Sequence, residues 1–187
     1  MKKYISLLAI IVITVFVIGG ASFLYKKLEK DYNQIAIVNE EKEENIEYKK
    51  ATDFVVLDYN GNQVKLSDFI GKPIVVNFWA TWCPPCKAEL PSFDKLYEEK
   101  KDEIEFLMVN LTDGVSDTTE TVKTFISQSG YKFPVYFDVD GEAAYSYNLY
   151  SIPRTIFIDR YGNLISSYSG AISEVNLRKN IDKILNK

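Results

Sequence analysis

Residues 73 to 91 read Pro-Ile-Val-Val-Asn-Phe-Trp-Ala-Thr-Trp-Cys-Pro-Pro-Cys-Lys-Ala-Glu-Leu-Pro, and they constrain the rest of the chain more than any other stretch. The apolar run Ile74 to Trp79 has the length and composition of a buried strand of a parallel sheet. After it the spacing changes. Cys86, Leu90, Phe93 and Tyr97 fall at i, i+4, i+7 and i+11, one face of a helix. Cys83 and Cys86 therefore sit where a strand hands over to a helix N-terminus. Unpaired N–H groups and the helix dipole place partial positive charge there, which stabilises a thiolate and lowers its pKa. Pro84 and Pro85 are tolerated in the first helical turn, where the N–H groups lack partners anyway, and they stiffen the loop.

In a Cys-x-x-Cys at a helix start the first sulfur faces solvent and the second lies deeper. That assigns Cys83 as the attacking nucleophile and Cys86 as the resolving thiol. The chain has only these two cysteines and no histidine. Random placement would put two cysteines three apart about one time in a hundred. A disulfide closing so short a loop removes little chain entropy, so a purely structural staple explains the pair poorly. Zinc would need further soft ligands, and c-type haem attachment would need histidine where Lys87 stands. No metal or cofactor is expected beyond the cysteine pair itself.

The segment Phe78-Trp79-Ala80-Thr81-Trp82-Cys83-Pro84-Pro85-Cys86-Lys87 resembles the active-site segment of the thioredoxin superfamily. More narrowly it resembles the TlpA/ResA-like membrane-anchored thiol–disulfide oxidoreductases. The likeness covers about residues 51 to 187. It implies an α/β, thioredoxin-like three-layer fold, a mixed central sheet flanked by helices. It also implies an added N-terminal β-hairpin and a strand–helix insertion.

The resemblance carries roles to further positions. A cis-proline beside the cysteine pair would be Pro153, which would leave the Ile152 backbone free to pair with a substrate segment. The bland alternative is a trans proline at a strand start. Arg154 departs from the threonine common in the family. Its guanidinium would either favour the Cys83 thiolate and acidic partners or simply be solvated. Members of this branch carry a glutamate at Glu89, where a partly buried carboxylate would take the proton of Cys86 during resolution. The alternative is a surface glutamate. Plain thioredoxin has a buried aspartate at the position of Asn77. Trp82, Pro84 and Pro85, with Ile152, Pro153 and Arg154, are the expected substrate-binding residues.

Elsewhere the reading is local. Lys2 and Lys3 precede an uncharged, mostly apolar run from Tyr4 to Tyr25, long enough for a bilayer crossing of about 20 residues. Residues 1 to 25 are read as a membrane anchor, with a cleaved signal peptide ending near Ala21 as the rival. Residues 26 to 50 form a charged tether, and residues 51 to 187 the redox domain. The charge bias does not fix orientation. The resemblance and the lack of spare thiols place the redox domain on the extracytoplasmic side of a bacterial cell membrane, or secreted after signal cleavage. Net charge is −4, with no basic patch to suggest nucleic acid.

Asn60-Gly61 between short apolar runs predicts a hairpin over Phe54–Asp58 and Gln63–Leu66. Strands are expected at Ile104–Asn110, Pro134–Asp138, Thr155–Asp159 and Leu164–Tyr168. One helix is expected after a cap at Ser116 or Asp117, closed by Gly130; another spans Gly141–Tyr150, and a last one follows a Ser173 cap. Pro91 should kink the active-site helix. Trp79 is assigned to the core, and Tyr145, Tyr147 and Tyr150 to core and edge packing, with a docking ridge as the alternative.

The leading function is a reductase of disulfides in exported proteins, fed by a membrane thiol donor, with apocytochrome c as one client. The alternatives are a disulfide-forming oxidase, a thiol peroxidase, or a tethered binding module without catalysis.

Overall fold

Ile74–Trp79 forms strand β3, buried along its whole length. A strand buried on both faces must have pairing partners on both edges and a layer on each side, and the fold supplies them. The computed structural model describes residues 20, 23–32 and 48–187. The chain divides into two units, Met1–Glu47 and Tyr48–Lys187. In the first, residues 23–32 are helical, and Phe23, Leu24, Tyr25, Leu28 and Tyr32 are exposed. The expected anchor over residues 1–25 lies almost wholly outside the described residues, as does most of the tether. Among the described residues no helix is long and apolar enough to cross a membrane.

The second unit holds a seven-stranded mixed sheet. In chain order its elements are β1 (Val55–Leu57), β2 (Gln63–Lys65), β3, α1 (Pro84–Lys100), β4 (Glu105–Asn110), α2 (Thr119–Ser129), β5 (Val135–Phe137), α3 (Glu142–Ser146), β6 (Arg154–Ile158), β7 (Leu164–Ser169) and α4 (Glu174–Leu185). The spatial order is β2-β1-β5-β4-β3-β6-β7. Strands β3, β4 and β5 run parallel, joined by the crossover helices α1 and α2. Strands β6 and β7 extend the sheet antiparallel on one side, and β1 and β2 on the other. The expected buried parallel strand is thus parallel to one neighbour only. The N-terminal hairpin forms with shorter strands than expected. Asp58 accepts from the N–H groups of Asn60 and Asn62 and closes its turn.

Side-chain alternation along β3 divides the interior. Val75 and Trp79 pack with Cys86, Leu90 and Phe93 of α1, Val122 and Ile126 of α2, and Leu177, Ile181 and Ile184 of α4. Ile74, Val76 and Phe78 face the opposite layer, with Phe54, Val56, Leu66 and Ala143. This gives three layers, with the sheet between α1, α2 and α4 on one face and α3 with the N-terminal segment on the other. The sheet is α/β and mixed, as expected.

Several local expectations change. Thr118 caps α2, its hydroxyl accepting from Thr121 N–H, and neither Ser116 nor Asp117 does so. Gly130 closes that helix with φ 73°, a left-handed conformation that favours glycine. Helix α3 stops at Ser146, because Tyr147 leaves helical geometry and Asn148 takes φ 47°. The chain from Leu149 to Pro153 is therefore an irregular, bent loop rather than helix. Ser173 caps α4 as expected. Helix α1 continues from Pro84 to Lys100 across Pro91. Its buried face holds Cys86, Leu90 and Phe93 as anticipated, with Glu89 and Leu96 besides, while Tyr97 is only half-buried against the same core.

Leu90 is fully buried between α1 and the sheet. Truncation leaves a cavity, so Leu90→Ala should lower stability by about 3 kcal/mol in denaturant titration. A loss below about 1 kcal/mol would contradict this packing.

Candidate active site

Two loops meet where β3 ends. One is Ala80–Cys83, leading into α1; the other is Leu149–Pro153, leading into β6. Cys83 caps α1 in extended conformation, with φ −92° and ψ 105°, and prolines fill the first two helical positions. Cys83 and Cys86 are joined as a disulfide, S–S 2.11 Å. The Cys86 N–H donates to Cys83 Sγ at 3.3 Å, so one otherwise unpaired helix N–H already points at that sulfur. This is the positive end of α1 applied to Cys83. Cys86 is fully buried, and Cys83 is 3% exposed, so the first sulfur does not face open solvent as expected but borders a groove.

Opposite the pair, the Ile152–Pro153 peptide is cis. The Ile152 carbonyl oxygen lies 3.8 Å from Cys83 Sγ. In the disulfide no proton joins them; in the reduced state the Cys83 thiol has that carbonyl as an acceptor. The Pro153 carbonyl accepts from Gly170 N–H at 2.9 Å, which ties this loop to the end of β7. A groove of about 490 Å³ opens beside Cys83. Trp82, Pro84 and Pro85 line one side; Leu111 and the segment Leu149–Ile152 line the other. None of these side chains is charged. A cavity of about 580 Å³ lies between the hairpin turn and the end of α2, and it includes neither cysteine.

The aromatic residues distribute unevenly. Trp79 is fully buried, against Phe125. Trp82 is 52% exposed at the groove. Tyr147 packs on Phe54 and Phe78, and its hydroxyl donates to the Thr52 carbonyl. Tyr145 and Tyr150 do not pack as expected: both are almost fully exposed, and Tyr150 borders the groove. For Tyr150 the early end of α3 is the reason, since it leaves that residue in a bend beyond the helix rather than on an inward helix face. Arg154 opens β6, and its Nε donates to Ser167 Oγ on β7. It does not line the groove.

Beneath the cysteines lies Glu89, one turn along α1 and 2% exposed. Asn77 Nδ2 donates to Glu89 Oε1 at 2.8 Å, and Ile172 N–H to Oε2 at 2.7 Å. Asn77 Nδ2 also reaches Thr155 Oγ1 at 3.1 Å, its register partner on β6. Burial pushes the Glu89 carboxyl up to about 7, against two hydrogen bonds that pull it down. Asn77 Oδ1 is buried without a partner. Thr155 and Ile172 had no signal in the sequence, because both join the site through strand register and chain return. Leu111, Leu149 and Tyr150 likewise reach the groove only through the fold. Among the described residues no group of three or more His, Cys, Asp or Glu side chains is placed to hold a metal ion.

The sequence profile of the AhpC/TSA family matches residues 48–167. The chain belongs to that family. Within it, the thiol–disulfide oxidoreductase ResA of Bacillus thuringiensis subsp. konkukian is 36% identical over 145 residues, covering 76% of this chain and 82% of the relative. The ResA protein of Geobacillus kaustophilus is 33% identical over 135 residues, 72% of this chain and 75% of the relative. Among solved structures, StoA from Bacillus subtilis superposes with TM-score 0.61 at 26% identity, covering 72% of this chain and 99% of that one. The exposed lipoprotein thioredoxin Etrx1 of Streptococcus pneumoniae gives 0.62 at 29% identity, covering 70% and 98%. With its paired cysteines, this member of the family is a thiol–disulfide oxidoreductase of the ResA type.

The buried carboxyl makes a pH prediction. Folded Glu89 binds its proton up to about pH 7, an unfolded glutamate only to about 4.5. Between those values the folded state holds more protons, so this contribution to stability is full below about pH 4.5 and is lost as pH rises to about 7. The loss should approach about 3 kcal/mol. Urea titrations of the native chain and of Glu89→Gln across this window should show it in the native chain alone. Parallel profiles would contradict the burial of an ionisable Glu89.

Proposed function

We propose that the protein is an extracytoplasmic, membrane-anchored reductase of disulfides in exported proteins, and that Cys83 is its attacking thiol. The observation that carries this reading is the placement of Cys83. It caps α1 with a helix N–H aimed at its sulfur, and it borders an uncharged groove.

In the proposed cycle the Cys83 thiolate attacks one sulfur of a client disulfide. The client S–S bond breaks, a mixed disulfide forms, and the other client sulfur leaves as a thiolate that takes a proton from solvent. Cys86 then loses its proton to Glu89 and attacks Cys83 Sγ. The Cys83–client S–S bond breaks, the client's second sulfur leaves as a thiolate that takes a proton from solvent, Glu89 returns its proton to solvent, and Cys83–Cys86 becomes a disulfide. Two electrons and two protons from a membrane thiol donor restore the dithiol. With its carboxyl close to half-protonated near neutral pH, Glu89 suits both directions of that proton transfer. Asn77 holds the charged form through Nδ2, and its unpartnered Oδ1 would accept from the protonated form after rotation of the amide.

The client enters the groove as an extended segment over Trp82, Pro84 and Pro85, with its backbone along Ile152 beside Pro153. Arg154, bound to Ser167 outside the groove lining, is assigned a supporting part next to Pro153, where it would meet acidic client residues. The apolar run after Lys2 and Lys3 anchors the chain, and the absence of spare cysteines suits an oxidising compartment. Apocytochrome c, whose haem-binding cysteines must be reduced, is the client class that the resemblance to TlpA/ResA-like proteins suggests.

The thiol peroxidase reading loses support. Ala80 stands three residues before Cys83, and the nearby Thr81 hydroxyl is held by Asp117.

The test is covalent capture. Reduced Cys86→Ala, mixed with a disulfide-bonded peptide of apocytochrome type, should accumulate a one-to-one adduct through Cys83 that dithiothreitol reverses. Cys83→Ser should form no adduct and show peptide reduction at least about a thousandfold slower, as expected for loss of a nucleophile. Peptide reduction by Cys83→Ser at the native rate would overturn the reading.

A further inference from the structure

One fully buried carboxylate takes no part in the cycle just described. Asp117 lies in the loop between β4 and α2 and has no exposed surface. Its Oδ2 accepts from Thr81 N–H at 2.8 Å and from Asn110 Nδ2 at 2.8 Å. Its Oδ1 is bonded by the Thr81 hydroxyl. Two of these donors are N–H groups, which can only donate, and both meet Oδ2. Among the described residues no lysine or arginine forms an ion pair with it. All of its hydrogen-bond partners are neutral groups.

The loop behind Asp117 is itself fixed. Asp113 Oδ1 accepts from the N–H groups of Val115, Ser116 and Asp117, and Gly114 N–H donates to the Asp117 carbonyl. Asn110 closes the other side, its Oδ1 accepting from Thr112 Oγ1 at 2.9 Å. A prefolded loop therefore grips Thr81 by both its backbone and its side chain. Thr81 is two residues ahead of Cys83, and two residues span at most about 7 Å.

We propose that Asp117 is a positioning residue of the redox site: it clamps the Thr81–Cys83 segment and sets a fixed negative charge behind Cys83 that disfavours its thiolate. The proposal rests on Cys83 being the attacking thiol. A like charge nearby raises a thiol's pKa, while the α1 N-terminus lowers it. The other charged groups near this junction are Glu89 and Lys87 on α1, Asp113 in the loop, and Arg154 at the start of β6, whose Nε donates to Ser167 Oγ. Glu89 is bound on the far side by Asn77 and Ile172, Lys87 is exposed, and Asp113 is occupied by three N–H groups. Asp117 is the one of these that is bonded directly to the segment leading into Cys83. Stabilising the reduced thiolate makes a pair more oxidising, so a charge that opposes the thiolate makes it more reducing. Asp117 thereby tunes the pair toward donating electrons.

The experiment uses the full-length chain carrying Cys86→Ser, in which Cys83 is the sole thiol. Its thiolate is followed by ultraviolet absorbance across pH, with thermal unfolding recorded alongside. Asp117→Asn removes the charge and keeps the shape; Asp117→Ser is smaller and also neutral, and serves if the first variant does not fold. Either should raise the Cys83 thiolate fraction at neutral pH about three- to tenfold. Thr81→Val loosens the clamp while leaving the charge, and should not raise it. An unchanged fraction in a folded Asp117 variant overturns the proposal. So does an equal rise in Thr81→Val, since loosening alone would then account for the effect. Failure of Cys83 to capture any client in the otherwise native chain would instead sink the reading of Cys83 as nucleophile.

Discussion

Strand β3 has to end at Trp79 and helix α1 has to begin at Pro84, and the four residues between them must turn the chain while holding a sulfur at the helix N-terminus. Cys83 does this as the cap itself, with the Cys86 N–H donating to its sulfur. A capping serine or aspartate would satisfy the same N–H more strongly. Using a thiol gives up some helix stability, and in return the helix end stabilises the thiolate. Much of the surrounding fold compensates for that choice. The two prolines preset the first turn, Leu90 and Phe93 anchor α1 to the sheet, and the Thr81 backbone is fixed from the side by Asp117.

Two buried carboxyls flank this junction, and their surroundings differ. Glu89 has two donors, one from Asn77 and one from Ile172, and burial outweighs them, so its proton is held to about pH 7. Asp117 has three donors from two segments. The first arrangement suits a group that exchanges a proton, and the second ties Asp117 to the segment leading into Cys83. The same sheet serves both: Asn77 lies on β3 and Asn110 at the end of β4, so each carboxyl is met by an asparagine from a central parallel strand.

Sequence periodicity revealed the elements that are long or strongly apolar. Strand β3, helix α1, the Asn60-Gly61 hairpin and the Ser173 cap follow from spacing and local chemistry alone. What was not legible depends on contacts distant in sequence. Asp117 reads as a helix cap because Asp before a helical run usually is one, and only the fold shows that Thr118 takes that role and frees Asp117 for Thr81. The segment after Ser146 reads as helix, and the left-handed Asn148 that stops it has no marker beyond asparagine's tolerance of that conformation. Tyr150 is consequently exposed beside the groove rather than packed. Glu89 could be placed on the α1 face by counting, but its partner Ile172 is 83 residues away and comes close only when α4 returns to the sheet.

The direction of electron flow is the central claim, and the reduction potential of the Cys83–Cys86 pair in the full-length chain tests it most directly. Equilibration with a thiol redox buffer, read by the extent of disulfide formation, should give about −270 mV, in the range of thioredoxin. A pair at that level reduces the disulfides of an oxidising compartment. A value near −120 mV, in the range of the strong bacterial disulfide donor, would contradict the account and make the protein an oxidase.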